Sequence, residues 1–296
     1  MRIAMICLAA HAPRSFAQEL EPRAFSPNPT GINYLVVGYS RSTGSVLFDP
    51  SLPLTDVEAN LNAAVLGVGH TFGVFGHSAS ATLVTPYVWG DISGRVGETS
   101  GAITRSGVAD ASLQFSVNLI GGPALSASEF SRRAPETTVG ASLVVDTPVG
   151  QYDPEKLINI GTHRWAFKPE IGISQPIGRW YLECYAGIWL FADNDQYYHG
   201  ARQSQAPISS LQLHASYTFK PRLWLALDVT GYRGGQTTVN GTDMANLQAN
   251  SRVGVTLSLP LHRSQSVKLA YSDGATTRVG ASFRTLSIAW QYSWSD

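Results

Sequence analysis

Charge is what this sequence has least of. Asp, Glu, Lys and Arg make up 14% of its 296 residues, against about 25% in an average soluble domain. The two signs balance at 21 residues each, so no net field favours nucleic acid or an acidic partner. Cysteine is nearly absent: Cys7 and Cys184 alone exclude a disulfide framework and a cysteine-based metal site. Long apolar runs are missing too. The longest, Cys184–Ala192, is half of the roughly 18 residues that suggest a membrane-spanning helix. Catalytic signatures are also lacking. "GVGHTFG" at Gly67–Gly73 fails the G-x-G-x-x-G spacing, and no G-x-S-x-G elbow, H-E-x-x-H pair or phosphate loop occurs. The acidic "DND" at Asp193–Asp195 has oxygen ligands for Ca²⁺, but such groups close together in a loop are usually just solvated. Neither a metal, a cofactor nor an enzymatic activity is expected.

The N-terminus has the features of an export signal. Arg2 gives a positive start, Ile3–Ala10 an apolar core, and "SFA" at Ser15–Ala17 a small-x-small cleavage site before Gln18. Cys7 falls inside it. Residues 1–17 are therefore expected to be a removed leader, 18–30 a periplasmic segment, and 31–296 one domain.

What fills that domain is alternation with period two. Leu223–Val229 sets Leu, Leu, Leu and Val against Trp224, Ala226 and Asp228. Arg252–Leu259 sets four aliphatic residues against Arg252, Gly254, Thr256 and Ser258. Such segments recur twelve times, near 31–41, 57–71, 78–91, 105–120, 136–148, 163–175, 179–192, 206–219, 221–233, 247–260, 265–275 and 280–294. Each reaches the roughly 9–11 residues with which a tilted strand crosses a bilayer. Connections on one side are mostly short turns and those on the other mostly long loops, the pattern of outer-membrane barrels. A soluble sandwich also alternates, but it shows no such bias. It also has no reason to set Tyr87, Trp89, Trp165, Trp180, Tyr217, Tyr271, Trp290, Tyr292 and Trp294 on the apolar register near strand ends, where the headgroup region holds such rings. The fold expected is all-β: an antiparallel up-and-down transmembrane barrel of the Gram-negative outer-membrane type. Its last strand, Leu286–Trp294, resembles the aromatic-ended signature that the barrel-assembly machinery takes up.

Carried through every strand, the alternation points Glu58, Asp110, Asp146, Lys168, Glu170, Glu183, His214, Asp228, Arg252, Lys268 and Arg284 into the lumen. Both signs occur, so the set reads as a paired network, either stiffening the interior or forming a gated polar constriction. Tyr39, Tyr181, Tyr185, Trp189, Trp224 and Phe283 fall among them. They would form a sliding surface for flat apolar solutes, or bulk that fills space.

One stretch is more specific than periodicity, "DTPVGQYDPEKLINIGTHRWAFKPEIGIS" at Asp146–Ser174. Its order is P-x-G-x-Y, then L-x-N-x-G, then R-W-x-x-x-P, carried by Pro148, Gly150, Tyr152, Asn159, Gly161, Arg164 and Trp165. It resembles the family of outer-membrane transporters labelled for the meta-cleavage pathway of phenol degradation, with likeness over about 27–294. That resemblance implies a channel-like barrel associated with aromatic catabolism, and it supplies no catalytic residues. The motif residues line the mouth or pin the loop: Asn159 for a turn, Gly161 for a positive φ, Trp165 at the interface. The function expected is passive uptake of small apolar or aromatic solutes through the outer membrane, with lipid as the surrounding partner. The alternative is a structural, adhesive or sensing barrel that acts through its outer loops.

Overall fold

The computed structural model describes residues 20–47 and 54–295; the leader expected at 1–17 lies outside the described residues. The wall begins with β1 (Ile32–Leu47), β2 (Leu54–Val74), β3 (His77–Val96), β4 (Thr99–Val108) and β5 (Ser112–Ile120). A short helix, α1 (Ala127–Phe130), precedes β6 (Thr138–Asp146), β7 (Ala166–Ile177) and β8 (Trp180–Phe191). Two outer strands follow, β9 (Asn194–Tyr197) and β10 (Ala201–Gln205), then β11 (Ile208–Lys220) and β12 (Leu223–Gly234). The outer hairpin β13 (Thr237–Val239) and β14 (Thr242–Asp243) leads to β15 (Gln248–His262), β16 (Gln265–Thr276) and β17 (Gly280–Ser295).

Neighbouring wall strands pair antiparallel, and the ring closes because β1 bonds both β2 and β17. The seam with β17 runs without a break from Ile32↔Ser295 to Leu47↔Gly280. β4 and β5 both pair with β3 and together make one stave, giving a twelve-stave barrel. Closure leaves no unpaired sheet edge to face lipid, the condition a β structure must meet in a bilayer. No helix of the described residues is long and apolar enough to cross a membrane, which says nothing against crossing by strands.

The outward register is apolar: Val37, Leu66, Ile171, Leu213, Leu227 and Ile288 are all exposed. In water each would forgo roughly 1.5–3 kcal/mol of burial; against lipid tails it does not. Exposed Tyr87 and Trp165 mark the outer rim of this belt, and Trp180 and Trp294 the periplasmic one. Trp180 packs edge-on against Tyr217, 5.0 Å between ring centres.

Four of the five periplasmic connections are two-residue turns between consecutive strands. At one of them Phe75 and Gly76 both take positive φ, +48° and +83°, as a primed hairpin turn demands. The fifth, 121–137, holds α1, whose Ser126 and Glu129 cap each other's backbone N–H groups. The outer connections 147–165, 192–207 and 235–247 are long. The last two contribute a small four-stranded sheet, β14-β13-β10-β9, which the alternation gave no hint of.

Three expectations about the wall need correction. Tyr39 is on the outer face, its hydroxyl donating to Asn62 Oδ1 at 2.7 Å, because β1 turns Gly38, Ser40 and Ser42 inward. Glu58 and Arg284 also face out. β2 and β17 continue beyond the lipid belt, where the outer face meets water and polar residues belong on it. For Arg284 the alternation decides: its neighbour Phe283 is buried inside, so its own side chain points outward, 3.3 Å from Asp273. The stave expected as 105–120 is broken at residues 109–111. From Tyr87↔Val108 to Val84↔Ser112, strand β3 advances three residues and its partner four. That extra residue is a β-bulge. It swaps the faces, so Ala109 is buried within and lumen-facing positions change from odd to even.

Candidate lumen site

The interior wall has two unlike halves. On β7, β8, β11, β12 and β15 the inward positions are polar and closely bonded. Lys168 Nζ lies 2.6 Å from Glu170 Oε2, both nearly inaccessible. His214 Nδ1 lies 2.7 Å from Asp228 Oδ1, both fully buried, and Thr256 donates to the other oxygen of Asp228 at 2.9 Å. Arg252 donates to Ser272 Oγ and the Phe283 carbonyl. Unpaired, such groups would each cost several kcal/mol in a low-dielectric interior; bonded to one another they make a stiff wall. The aromatic rings fill this half. Tyr185 and Trp189 are buried, and the Tyr185 ring lies 4.9 Å from His214.

Around the cavity β1, β2 and β3 turn Val36, Leu61, Val65, Val84, Val88 and Ile92 inward. Over residues 63–68 β2 is apolar on both faces. Between the halves lies a cavity of about 420 Å³. Val36, Val65, Val84 and Val88 line one side, and Glu170, Tyr185, Trp189, Gln212 and Arg252 the other.

Two segments close the ends. The chain from Leu20 to Gly31, expected on the periplasmic side of the barrel, is drawn up inside it. Arg23 takes a left-handed conformation, φ +68°, so that its backbone N–H donates to Glu183. Its guanidinium donates to Ser216 and Thr218 and stacks on the Tyr181 and Trp224 rings, 4.5 and 4.8 Å from their centres. Phe25 packs edge-on against Tyr185 at 4.9 Å. It fits only because β6 and β7 carry Gly140 and Gly172 beneath it, where a Cβ would fall 2.3 and 2.4 Å from the ring. Lys268, solvent-accessible on the same lumen face, reaches to 5.9 Å from the Trp224 ring.

At the outer end the motif loop 147–165 folds inward. Asp110, on the bulge, holds it: one carboxylate oxygen accepts from Gly150 N–H at 2.9 Å, the other from Thr162 N–H and Thr162 Oγ1. Beside it Asp146 accepts from Ser112. Gly150 and Gly161 touch backbone to backbone, leaving no room for a Cβ on either. Close approach, not a positive φ, is the reason for Gly161; the left-handed residue here is His163, φ +54°. Asn159 closes the turn through Asp153 and Lys156. Hydrogen bonds from Lys156 and the Glu155 N–H hold the Asp153 carboxyl below its ordinary range. Tyr152 stacks on His163 and bonds Gln196 and Asn194, and burial pushes its phenol up. Arg164 is buried against Gln205 and the Phe191 ring. Pro148 starts the loop and Trp165 ends it, exposed on the outer face. Ile158 and Ile160 turn down onto two apolar clusters, one containing Leu61, Ile92 and Phe283, the other Ala63, Val88 and Ala109.

Of the residues expected in the lumen, Asp110, Asp146, Lys168, Glu170, Glu183, His214, Asp228, Arg252 and Lys268 face it, with Tyr181, Tyr185, Trp189, Trp224 and Phe283. Missed were the aliphatic wall, the loop's isoleucines, and Arg23 and Phe25. The last two gave no signal, because a single Phe in a polar, Pro-containing segment is ordinary in solution.

Comparison with known proteins agrees with this architecture. The COG4313 outer membrane channel from Pseudomonas putida F1 superposes with a TM-score of 0.79 at 19% identity, over 93% of this chain and 100% of that one. The beta domain of the Bordetella autotransporter BrkA superposes with a TM-score of 0.53 at 11% identity, over 90% and 100%. At these identities the likeness establishes the fold, a barrel of the bacterial outer membrane. No curated protein matches the sequence. The family model described as "Putative MetA-pathway of phenol degradation" matches residues 27–292, and the chain belongs to that family.

Proposed function

We propose that this barrel carries small apolar or aromatic solutes passively across the outer membrane. The observation that carries the reading is the cavity of about 420 Å³ whose aliphatic wall is enclosed by the loop above and the N-terminal segment below. An interior meant only to be filled needs no such space, and a water-filled pore gains nothing from a Val- and Ile-lined side. Ligand sites in proteins are typically apolar chambers of this order, about 300–1,000 Å³, with a few polar groups. Both ends are occupied in this conformation, so passage requires both the loop and the N-terminal segment to move. Trp189, Tyr185 and the aliphatic wall hold the solute, Phe283 seals the outer cluster, and Tyr181 and Trp224 line the exit once Arg23 leaves them. Lipid surrounds the barrel, and β17 is the strand offered to the assembly machinery.

The test is solute uptake into liposomes carrying refolded protein, against protein-free liposomes, comparing phenol with a small sugar. Accelerated uptake of the arene alone is the expected result. Equal acceleration of both would make this a general diffusion pore. Acceleration of neither, from protein shown to be folded, would overturn transport and favour a structural, adhesive or sensing role through the outer loops.

A further inference from the structure

Arg23 is seated on a patch that the barrel wall supplies. Tyr181 is the second residue of β8 and Trp224 the second of β12, so both rings stand at the periplasmic ends of their strands. On β11, between them, Ser216 lies opposite Tyr181 and Thr218 opposite Trp224. Two ring faces and two hydroxyl oxygens thus form one patch across three neighbouring strands, with the Glu183 carboxylate at the next inward position above Tyr181. A π face and an oxygen acceptor both favour a cation.

The fit is to a guanidinium rather than to positive charge as such. The Arg23 guanidinium carbon lies 4.5 Å from the centre of the Tyr181 ring and 4.8 Å from that of Trp224. Its Nε donates to Ser216 at 3.0 Å and a terminal nitrogen to Thr218 at 2.6 Å. Stacking and forked donation together call for a flat head with several donors; an ammonium has neither the plane nor the fork.

The occupant is exchangeable. Arg23 reaches the patch from a left-handed backbone, φ +68°, a conformation that costs a non-glycine residue energy and that release relieves. Lys268 brings a like charge to the same Trp224 ring, at 5.9 Å. A ligand on a short tether acts at an effective concentration in the millimolar range, which a free solute can match. Solvent reaches the patch even when it is filled, since Arg23, Tyr181 and Thr218 are only half-buried and Lys268 is exposed beside them. The Phe25 socket at Gly140 and Gly172 is a separate hold, so losing the Arg23 seat weakens closure without dismantling it.

We propose that Tyr181, Trp224, Ser216, Thr218 and Glu183 form a guanidinium-binding site at the periplasmic mouth, and that a small solute with a guanidinium head competes with Arg23 for it and loosens the N-terminal segment. The proposal goes beyond the transport reading and does not depend on which solute the cavity takes.

The experiment records single barrels of the refolded, full-length protein in planar membranes. Methylguanidinium or methylammonium chloride is added at about 10 mM, above the effective concentration of a short tether, with ionic strength held equal. Methylguanidinium in the periplasmic chamber is expected to raise the fraction of time spent conducting about threefold, the worth of one partly exposed cation–π seat; methylammonium is expected to leave it unchanged. In Arg23→Ala there is no side chain to displace, so the resting fraction starts higher and methylguanidinium no longer raises it. No rise in the wild-type protein overturns the proposal, as does an equal rise with methylammonium. A rise that persists in Arg23→Ala also overturns it, because the ion then acts elsewhere. The wild-type comparison of the two cations needs no variant to fold.

Discussion

The two halves of the lumen wall are built from the same strand geometry and solve different problems. On β7–β15 inward polar side chains bond one another, along a strand or across to the next: Lys168 with Glu170 on β7, His214 on β11 with Asp228 on β12, Arg252 on β15 with Ser272 on β16. On β1–β3 inward Val and Leu find no partner in the wall and instead face a cavity, the motif loop or each other. The first half resists deformation because moving one residue unpairs another. The second tolerates it, since an aliphatic face exchanges one apolar neighbour for another at small cost. Rigidity and deformability are thus divided between the two sides of one barrel.

The largest way to break this division is in the stiff half. Lys168→Met leaves Glu170 buried without its cation, expected to cost about 3–5 kcal/mol. Denaturant unfolding of the barrel in phospholipid vesicles reads this directly. A loss below about 1 kcal/mol would mean that water already solvates the pair. By contrast Val65→Ala, in the soft half, removes two methyl groups beside an existing cavity and should cost distinctly less.

Next comes the plug. Phe25→Ala removes a buried ring from a socket made by two glycines, worth up to about 3–5 kcal/mol of docking. Gly172→Leu attacks the same joint from the wall. Both should raise the resting current of single barrels in planar membranes about a hundredfold, with the barrel still folded. Unchanged current in both would show that the outer loop alone closes the path.

Asp110→Asn tests the outer closure. It keeps shape but turns a charged acceptor of three hydrogen bonds into a neutral one, a loss of about 1–3 kcal/mol. The motif loop should become cleavable by added protease on whole cells, while the barrel remains folded.

How much of this was legible is a matter of which residues alternate. Strands such as Leu223–Val229 announce themselves, since lipid demands apolar residues on one face and the bonded wall demands polar ones on the other. β2 and β3 do not: "AAVLGV" at residues 63–68 is apolar on both faces, and nothing in it tells a lipid-facing Leu66 from a cavity-facing Val65. The bulge was equally hidden, because Ala109 and Ala111 flank Asp110 symmetrically and either parity reads well. Glu58 and Arg284 were misassigned for a different reason. Beyond the lipid belt, polar side chains satisfy solvent on the outer face as well as partners on the inner one, so alternation no longer identifies the side.

The smallest effect separates the two ways in which Arg23 holds the plug. Its guanidinium lies flat against the rings of Tyr181 and Trp224 while bonding Ser216 and Thr218. Lysine keeps the charge but not the plane or the fork of donors. If charge among the lumen carboxylates is what retains the segment, Arg23→Lys changes nothing. If stacking and directed hydrogen bonds retain it, the variant loses about 1 kcal/mol of docking, and the fraction of time spent conducting rises about fivefold, well below the Phe25→Ala effect. Because the screened part of any charge effect shrinks with salt, the comparison belongs at high ionic strength. A difference that persists there comes from geometry, and it would make the Tyr181 and Trp224 rings the fixed seat against which the mobile N-terminal segment closes.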